Sequence, residues 1–433
     1  MSGGPVDDGP VDGASVEGGQ VDGADVAARA RVPQPGDGPL VGVRVLDLAT
    51  MMAAPWAAAF LADYGADVIK VERPGSGDHA RAFGLQKDGE SVFWKTLARN
   101  KRSLALDLKH PEGRDIVLRL VRSCDVVIEN FRPGVLDRLG LGFEALRAVN
   151  PKVVMLSVTG YGQDGPYADR PGFGTLIEAM SGFAASNGSP DGPPILPAIP
   201  LADGVAGVFG ALAVMIALYE RDARGGGAGQ RIDLSLFEPL TRLLEGHVLE
   251  YEALGIVRER LGNRSLTSAP RNAYVAADGR WVALSASAQP VFERLARAIG
   301  RPDLIDDERF RTNHERIHHA ELLDAIVGGW IATRPRDEAI AELSALGAAV
   351  GPIYDVAELL DDPHVRARGS FERHEDPVLG ALRVPAVTAR FSRTPGRVRH
   401  LGPALGADGD AILREVGFDD DAVRRLRDAE VVA

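Results

Sequence analysis

The chain of 433 residues contains a single cysteine, Cys124. One thiol excludes an intrachain disulfide and indicates a reducing compartment. Because Cys124 lies in the apolar run CDVVIEN, we expect a buried core thiol and not a nucleophile. The first residues also lack a basic start followed by an apolar run, so we expect no secretory signal and a cytoplasmic protein.

The chain lacks an excess of positive charge, since 49 Lys and Arg against 61 Asp and Glu give a formal net charge of −12. A general nucleic-acid binder needs a clustered basic surface that neutralises phosphates, and this balance argues against that class of protein. An anionic small ligand would have to be held by local basic residues.

No apolar run reaches the roughly 20 residues that cross a membrane as a helix. The longest, GVAGVFGALAVMIALY, follows Asp203 and has sixteen residues without a charge. Gly204, Gly207 and Gly210 recur in it at intervals of three, which favours close packing against a neighbouring element. We therefore expect an internal helix and no membrane partner.

Motifs of other protein classes fail at decisive positions. GYGQDG at 160–165 fits the dinucleotide-binding pattern, but Pro166 and the Pro171-Gly172 pair break the helix which that pattern must open, so we predict a tight turn. His314 and His318 lie four residues apart, yet no carboxylate or cysteine cluster completes a zinc site, and we predict a solvated helix face. No serine-hydrolase G-x-S-x-G motif is present.

The length allows two or three domains, and the hydrophobic and charged fractions of 45% and 25% are those of a globular protein. The first 38 residues carry seven acidic residues and two arginines in a Gly- and Pro-rich repeat, for which we expect disorder. We predict a large domain at 39–225, a linker and helix at 226–264, a smaller α+β domain at 265–370, and a C-terminal return to the large domain at 371–433.

Short apolar runs alternate with amphipathic segments from Val43 onward, as in VRVLDLA, APWAAAFLADYG and ADVIKVE. Strands buried on both faces and separated by helices indicate an α/β fold with a doubly wound, Rossmann-like parallel sheet. The loops after its strands should bind the ligand. In the second domain, Asp278-Gly279 between two alternating runs predicts a β-hairpin.

Several basic residues fall in or beside predicted loops of the large domain. They are Arg73, the Lys101-Arg102 pair, Arg132 and Arg138. A guanidinium group presents donors that match phosphate oxygens, so together these residues could hold a phosphorylated ligand. Taken singly, each could be a surface charge.

Asp203 ends the proline-rich segment PPILPAIPLAD and opens the long apolar run. A carboxylate at such a junction could be a helix N-cap. It could also be a nucleophile that the positive end of the helix dipole keeps ionised by lowering its pKa. Position alone does not separate the two interpretations.

Several segments, taken in order, resemble the class III CoA-transferases of the CaiB/BaiF type from about residue 40 to the C-terminus. They are VRVLDLATMMAAPWAAAFLADYGADVIKVERPGSGD, NKRSLALDL, DVVIENFRPGVLDRLGL, YGQDGPYADRPGFGTLIEAMSG, PAIPLADGVAG and GPIYDVAELLDDPHVRARG. The resemblance implies a large doubly wound domain, a smaller domain and an interlocked homodimer. It also implies CoA and acyl-CoA as substrates, with neither a metal nor a permanently bound cofactor.

By the same resemblance Asp203 is the nucleophile, which forms an aspartyl anhydride and then an aspartyl-CoA thioester. The CoA site would be lined by Arg73, Asn130, Phe131 and Arg138, with Arg102 as an addition. The lid that covers the aspartate in formyl-CoA transferase does not carry over, since the corresponding run at 261–272 is not glycine-rich.

Two departures from relatives in this family narrow the expected substrate. Met52 stands where formyl-CoA transferase has glutamine, which predicts an acyl group bulkier or less polar than formyl or oxalyl. Phe173 stands where the racemase of the family has histidine, and phenylalanine cannot exchange a proton. Glu178, five residues further on, is expected to be an outward-facing helix charge.

We therefore predict transfer of CoA from an acyl-CoA to a carboxylic acid through Asp203. The alternatives are an acyl-CoA isomerase or intramolecular CoA transferase on the same scaffold, and a CoA-binding subunit without turnover. The donor and acceptor acids do not follow from the residues.

Overall fold

The computed structural model describes residues 38–433, so nearly all of the acidic tail predicted at 1–38 lies outside the described residues. The strands are β1 (Arg44–Asp47), β2 (Asp67–Glu72), β3 (Gln86–Lys87), β4 (Glu90–Ser91), β5 (Lys101–Ala105), β6 (Val126–Glu129), β7 (Val154–Thr159), β8 (Arg231–Ser235), β9 (Arg271–Val275), β10 (Trp281–Ser285), β11 (Val350–Pro352), β12 (Phe371–Asp376) and β13 (Gly380–Pro385).

The helices follow or separate these strands. They are α1 (Ala53–Asp63), α2 (Val92–Leu97), α3 (Pro111–Val121), α4 (Val135–Arg138), α5 (Phe143–Val149), α6 (Gly174–Met180), α7 (Phe183–Ser186), α8 (Leu201–Ala223), α9 (Phe237–Leu243), α10 (Glu245–Leu254), α11 (Gln289–Ala298), α12 (Asn313–His318), α13 (Ala320–Ile331), α14 (Arg336–Ala345), α15 (Val356–Asp361), α16 (Pro363–Ala367), α17 (Gly409–Glu415) and α18 (Asp420–Asp428). Short 3-10 turns lie at His79–Ala82 and Pro302–Ile305.

Six strands form one parallel sheet in the order β5-β2-β1-β6-β7-β8. The chain builds outward from β1 in one direction and then returns to add β6 on its other side. This is the doubly wound order, and it confirms the expected parallel sheet. The change of direction leaves a crevice beyond the carboxyl ends of β1 and β6, where ligands bind in such sheets.

Both faces of the sheet are covered, which explains why its strands are continuous apolar runs. Along β1, Val45 belongs to a core shared with α1 and α8, while Leu46 points to the opposite core. The opposite core is completed by α3 and by the C-terminal helices, through Ile412 of α17 and Leu426 of α18. The last segment of the chain thus packs on the parallel sheet.

Helix α8 supplies the backbone on which Asp203 lies. Its glycines allow close contact with α1, since a Cβ on Gly207 would lie 2.9 Å from Trp56 Cβ and one on Gly210 would lie 3.3 Å from Ala57 Cβ. Of the helices in residues 38–433, only α8 is long and apolar enough to cross a membrane, by length and composition. One face of α8 packs against α1 and the sheet, as expected for a helix of the core, while the opposite face exposes apolar side chains such as Val208 and Leu212.

The second predicted domain contains an antiparallel sheet in the order β11-β10-β9. Val282 and Leu284 of β10 pack in one core with Phe292 of α11 and Leu323 of α13. The turn between β9 and β10 contains Gly279 at φ 78°, so the hairpin predicted from Asp278-Gly279 is confirmed. The predicted domain boundaries themselves stay predictions.

Candidate active site

A cavity of about 240 Å³ opens at the carboxyl edge of the parallel sheet, at the switch point between β1 and β6. Its walls come from the loops after β1, β6 and β7 and from the first turn of α8. It is lined by Thr50, Met51, Met52, Ala53, Asn130, Phe131, Arg132, Pro133, Val158, Thr159, Gly160, Ala168, Arg170, Pro171, Gly172, Phe173, Asp203 and Leu236. The structure therefore brings together five residues predicted from the sequence: Met52, Asn130, Phe131, Phe173 and Asp203.

Asp203 is the third residue of α8 and not its cap. The N-cap position is Pro200, which makes no side-chain capping bond. The helix begins two residues before Asp203, so the N-cap interpretation of this carboxylate is wrong. The capping acceptor is Glu178 instead, whose Oε1 accepts a hydrogen bond from the Ala202 amide at 3.0 Å.

Burial, and after it the negative charge of Glu178, raises the pKa of Asp203 from 3.8 to about 6. The backbone amides of Asp203 and Ala53 favour the ionised form but do not outweigh these two effects. The expectation that the helix terminus would lower the pKa is therefore wrong, because loss of hydration is the larger effect here. At neutral pH the carboxylate is still mostly ionised.

Glu178 is only 2% exposed, so its predicted outward orientation is also wrong. Close packing between α6 and α8 is the reason. Gly174 begins α6, and a Cβ there would lie 2.1 Å from Asp203 Oδ2. The absence of a side chain at Gly174 makes room for the Asp203 carboxylate.

The loop after β1 is held in place by side chains from two other segments. Asn130 accepts a hydrogen bond from the Thr50 amide at 2.8 Å and donates one to the Thr50 carbonyl at 2.7 Å. Asp78 accepts from the Met51 amide at 3.0 Å. Met51 has φ 66°, a left-handed conformation that costs a non-glycine residue free energy and persists where neighbouring bonds enforce it.

Buried charges lie beneath this loop. Lys70 donates to the carbonyl of Ala49 and pairs with Asp78 at 2.9 Å. Lys101 pairs with Asp47 at 2.9 Å, and both side chains are almost fully buried. Lys101 is thus part of the sheet interior and cannot face a phosphate from a surface loop.

Arg102 is placed away from the cavity, contrary to its predicted position. It is the second residue of β5, and its guanidinium pairs with Asp67 and Glu415, each at 2.7 Å. Asp67 begins β2, so this cluster lies at the amino edge of the sheet, opposite the cavity. Both carboxylates raise the pKa of Arg102 and outweigh its burial, which is the largest single effect and acts to lower it.

Arg73 and Arg138 are exposed and follow the carboxyl ends of β2 and β6, outside the cavity lining. Two other arginines line it. Arg132 is among the basic residues that the sequence predicts could together hold a phosphorylated ligand, whereas Arg170 was not predicted. The guanidinium of Arg170 lies 3.6 Å from the Tyr167 ring centroid. In the sequence, Arg170 directly precedes Pro171 in the turn before α6, and this position was the one indication that it could line the cavity.

The two motifs of other protein classes have simple structural explanations. GYGQDG forms bends and turns, and the next helix begins only at Gly174, as predicted. A Cβ on Gly160 would lie 2.5 Å from the Cα of Gly172, so this glycine serves loop packing.

The helix α12 carries His314 and His318, whose Nε2 atoms are 3.2 Å apart. Its segment HERIH has the H-E-x-x-H spacing found in zinc proteases, with Glu315 directly after the first histidine. Within residues 38–433, no group of three or more His, Cys, Asp and Glu side chains could hold a metal ion.

Comparison with known proteins agrees with this geometry. Residues 40–409 match CoA-transferase family III. The succinyl-CoA–D-citramalate CoA-transferase of Chloroflexus aurantiacus is 42% identical over 396 residues, which cover 91% of this chain and 98% of that protein. The succinate–glutarate CoA-transferase of Agrobacterium fabrum is 38% identical over 390 residues, covering 87% and 96%.

A solved structure is similar as well. The crystal structure of a CaiB/BaiF family protein from Brucella suis aligns with a TM-score of 0.77 and 36% identity, covering 88% of this chain and 100% of that one. The chain therefore belongs to CoA-transferase family III, as its motifs predicted, and it is an enzyme of the CoA-transferase type.

Proposed function

We propose that this enzyme moves CoA from an acyl-CoA donor to a carboxylic acid acceptor, with Asp203 as the nucleophile. The observation that carries the proposal is the position of the Asp203 carboxylate in the wall of the cavity at the switch point. Among the residues that line the cavity, Asp203 is the only carboxylic acid. Its pKa of about 6 leaves it ionised at neutral pH but more basic than an ordinary aspartate.

In the first step an oxygen of Asp203 bonds to the thioester carbonyl carbon and the carbon–sulfur bond breaks. CoA leaves as a thiolate with the bonding electron pair, and the enzyme holds a mixed anhydride. The thiolate then attacks the aspartyl carbonyl, which releases the donor acid and gives an aspartyl-CoA thioester. The acceptor carboxylate repeats these two steps in the opposite direction.

The CoA moiety is proposed to lie along the carboxyl edge of the sheet. Arg73 and Arg138 are exposed there and would face phosphates, while Phe131 lines the cavity and would contact the apolar part of CoA. Asn130 contributes mainly through the Thr50 loop, since its amide bonds that backbone. Arg102 has no part in this site.

We propose that at least one of the two acids is a dicarboxylic acid. The names of the relatives in Chloroflexus aurantiacus and Agrobacterium fabrum specify succinyl, citramalate and glutarate substrates. Met52 and Phe173 give the cavity apolar walls for a carbon chain, and Arg132 and Arg170 add positive charge to its lining. Both features fit a chain that ends in a second carboxylate.

The isomerase alternative has less support. Rearrangement at the α-carbon requires a second acid/base group beside the nucleophile. Phe173 cannot serve, and the lining contains no histidine or second carboxylic acid. The alternative of a subunit without turnover is disfavoured by the named activities of the relatives.

A homodimer, interlocked as the family implies, remains part of the proposal. One face of α8 exposes Val208, Leu212, Ile216 and Tyr219, and α10 exposes Val248, Leu249, Tyr251 and Leu254. An uncovered apolar surface of this kind marks an interaction site. Light scattering after gel filtration should give twice the chain mass.

The test of the transfer mechanism is to trap the acylated enzyme. Purified protein is incubated with succinyl-CoA, glutaryl-CoA and acetyl-CoA separately, treated with hydroxylamine and digested for mass spectrometry. A hydroxamate on Asp203 with at least one donor is expected, and Asp203→Asn should show none. Unmodified Asp203 with every donor, together with measurable CoA exchange, would contradict the mechanism.

A further inference from the structure

Glu178 lies behind Asp203, outside the cavity that receives the substrate. Its side chain is 2% exposed and does not line the cavity. It reaches from the middle of α6 to the first turn of α8, where Oε1 accepts from Ala202 at 3.0 Å. Ala202 immediately precedes Asp203, so one carboxylate supports the backbone that carries the other.

The groups that face Asp203 differ from one element to the next. From α6 comes the negative charge of Glu178, and from the first residue of α1 comes the uncharged amide of Ala53. Arg132 and Arg170 contribute the positive charges of the cavity lining. No salt bridge joins Asp203 to either of them in the described part of the chain, and the charged group that shifts the pKa of Asp203 is Glu178, which has the same sign.

We infer that Glu178 is a positioning residue that fixes the first turn of α8 and keeps a second negative charge beside Asp203, a repulsion that acylation relieves. The inference rests on the proposed role of Asp203 as nucleophile. A capping acceptor could equally be neutral, since the side chains of asparagine and serine are also favoured helix caps. A buried charge at this position therefore does something that capping does not require.

The charge balance of the reaction shows what the negative charge of Glu178 does. When the Asp203 oxygen bonds to the acyl carbon, its negative charge passes through the tetrahedral intermediate to the departing CoA thiolate. The anhydride that remains on Asp203 is neutral, so the repulsion from Glu178 is lost as the bond forms. Because the repulsion weakens between the ground state and the transition state, it lowers the barrier for acylation.

The test is Glu178→Gln, which keeps an Oε1 acceptor for Ala202 and removes the charge. The acid limb of the kcat/KM profile should move about one unit to lower pH, and the acylation rate at pH 8 should fall about tenfold, because one pKa unit corresponds to a factor of ten. Glu178→Ala, which removes both cap and charge, should also lower the melting temperature.

A second measurement is independent of turnover. With ¹³C-labelled aspartate, the Asp203 carboxyl signal is identified by its absence in Asp203→Asn, and its titration is compared in the wild type and Glu178→Gln. A lower midpoint in the variant is expected. If the hydroxylamine experiment fails but the midpoint moves, the nucleophile assignment is wrong while the charge placement stands.

An unchanged titration midpoint, or an unchanged pH profile and rate, would overturn the inference and leave Glu178 as a cap. A marked loss of folding in Glu178→Gln would overturn it too, since removing one of two repelling charges while retaining the acceptor should not destabilise the fold.

Discussion

Thr50 and Asn130 exchange two hydrogen bonds across the switch point of the sheet, at 2.8 Å and 2.7 Å. Thr50 follows β1 and Asn130 follows β6, so the pair joins the two loops that flank the cavity. Met52, which lines the cavity together with Asp203, is on the same loop as Thr50, and Ala53 begins α1 directly after it. The conformation of that loop therefore depends on a side chain about eighty residues away.

Asn130→Ala should impair catalysis more than it impairs folding. The Thr50 amide and carbonyl lose their partner, at a cost of about 1–3 kcal/mol, and the loop over Asp203 loosens. We expect kcat/KM for CoA transfer to fall about 10- to 100-fold, which corresponds to the same range of free energy. Steady-state kinetics with a fixed acyl-CoA donor measures the change.

Asn150→Ala is the matched control. Asn150 also uses its amide to hold backbone, through bonds to the carbonyls of Val121 and Cys124, but it lies at the amino edge of the sheet. A similar loss of stability with nearly full activity is expected. Equal losses of activity in the two variants would show that Asn130 acts on general stability and not on the loop.

The sequence was sufficient to predict the parallel sheet and its hairpin partner domain, because strands buried on both faces have no polar alternation to obscure them. Ordered motifs also pointed to Asp203 where its local position was ambiguous, and the structure has it in the cavity wall, while its role as nucleophile stays a prediction. The prediction that Arg102 lines the CoA site was wrong and could have been avoided. Arg102 lies at the amino end of β5, and in a parallel sheet residues at the amino ends of the strands lie at the edge opposite the ligand site.

Other features could not be read from local patterns. Glu178 looks like a helix surface charge because its hydrogen-bond partner, the Ala202 amide, is 24 residues away. The raised pKa of Asp203 depends on burial by α6 and on that same glutamate. Both depend on how two helices pack, which helical periodicity alone does not specify.

Arginines at the two opposite edges of the sheet should differ in their effect on acyl-CoA binding. Arg73→Ala and Arg138→Ala should each raise KM for acyl-CoA about tenfold, since each would remove a charge-assisted contact with a phosphate. Arg102→Ala should leave KM unchanged, because its partners are Asp67 and Glu415. Initial rates at varied acyl-CoA and salt concentrations test this; a raised KM in Arg102→Ala alone would reverse the assignment.

Gly174→Ala should abolish transfer while the protein remains folded. The added Cβ would lie 2.1 Å from Asp203 Oδ2, so the nucleophile has to leave its position. A displacement of the carboxylate by about 1 Å is enough to lower the rate about a hundredfold. Gly246→Ala is the control, since it is also in a helix and its Cβ would meet nothing within 4 Å. Comparable activity in both variants would contradict the packing argument.

Asp203→Asn should stabilise the protein in a pH-dependent manner. The pKa of Asp203 is about 6 when folded against an ordinary 3.8, so ionisation is harder in the folded state. The ionised carboxylate therefore destabilises the fold above pH 6, and this effect disappears as the pH falls toward 4. Where Asp203 is fully ionised, this difference in pKa corresponds to about 3 kcal/mol in the free energy of unfolding. The contribution is smaller to the extent that solvent reaches the carboxylate. Urea unfolding at pH 8 and pH 4.5 should show a gain for the variant at the higher pH that shrinks at the lower. A gain of equal size at both values would mean that the asparagine stabilises by packing and that Asp203 has an ordinary pKa.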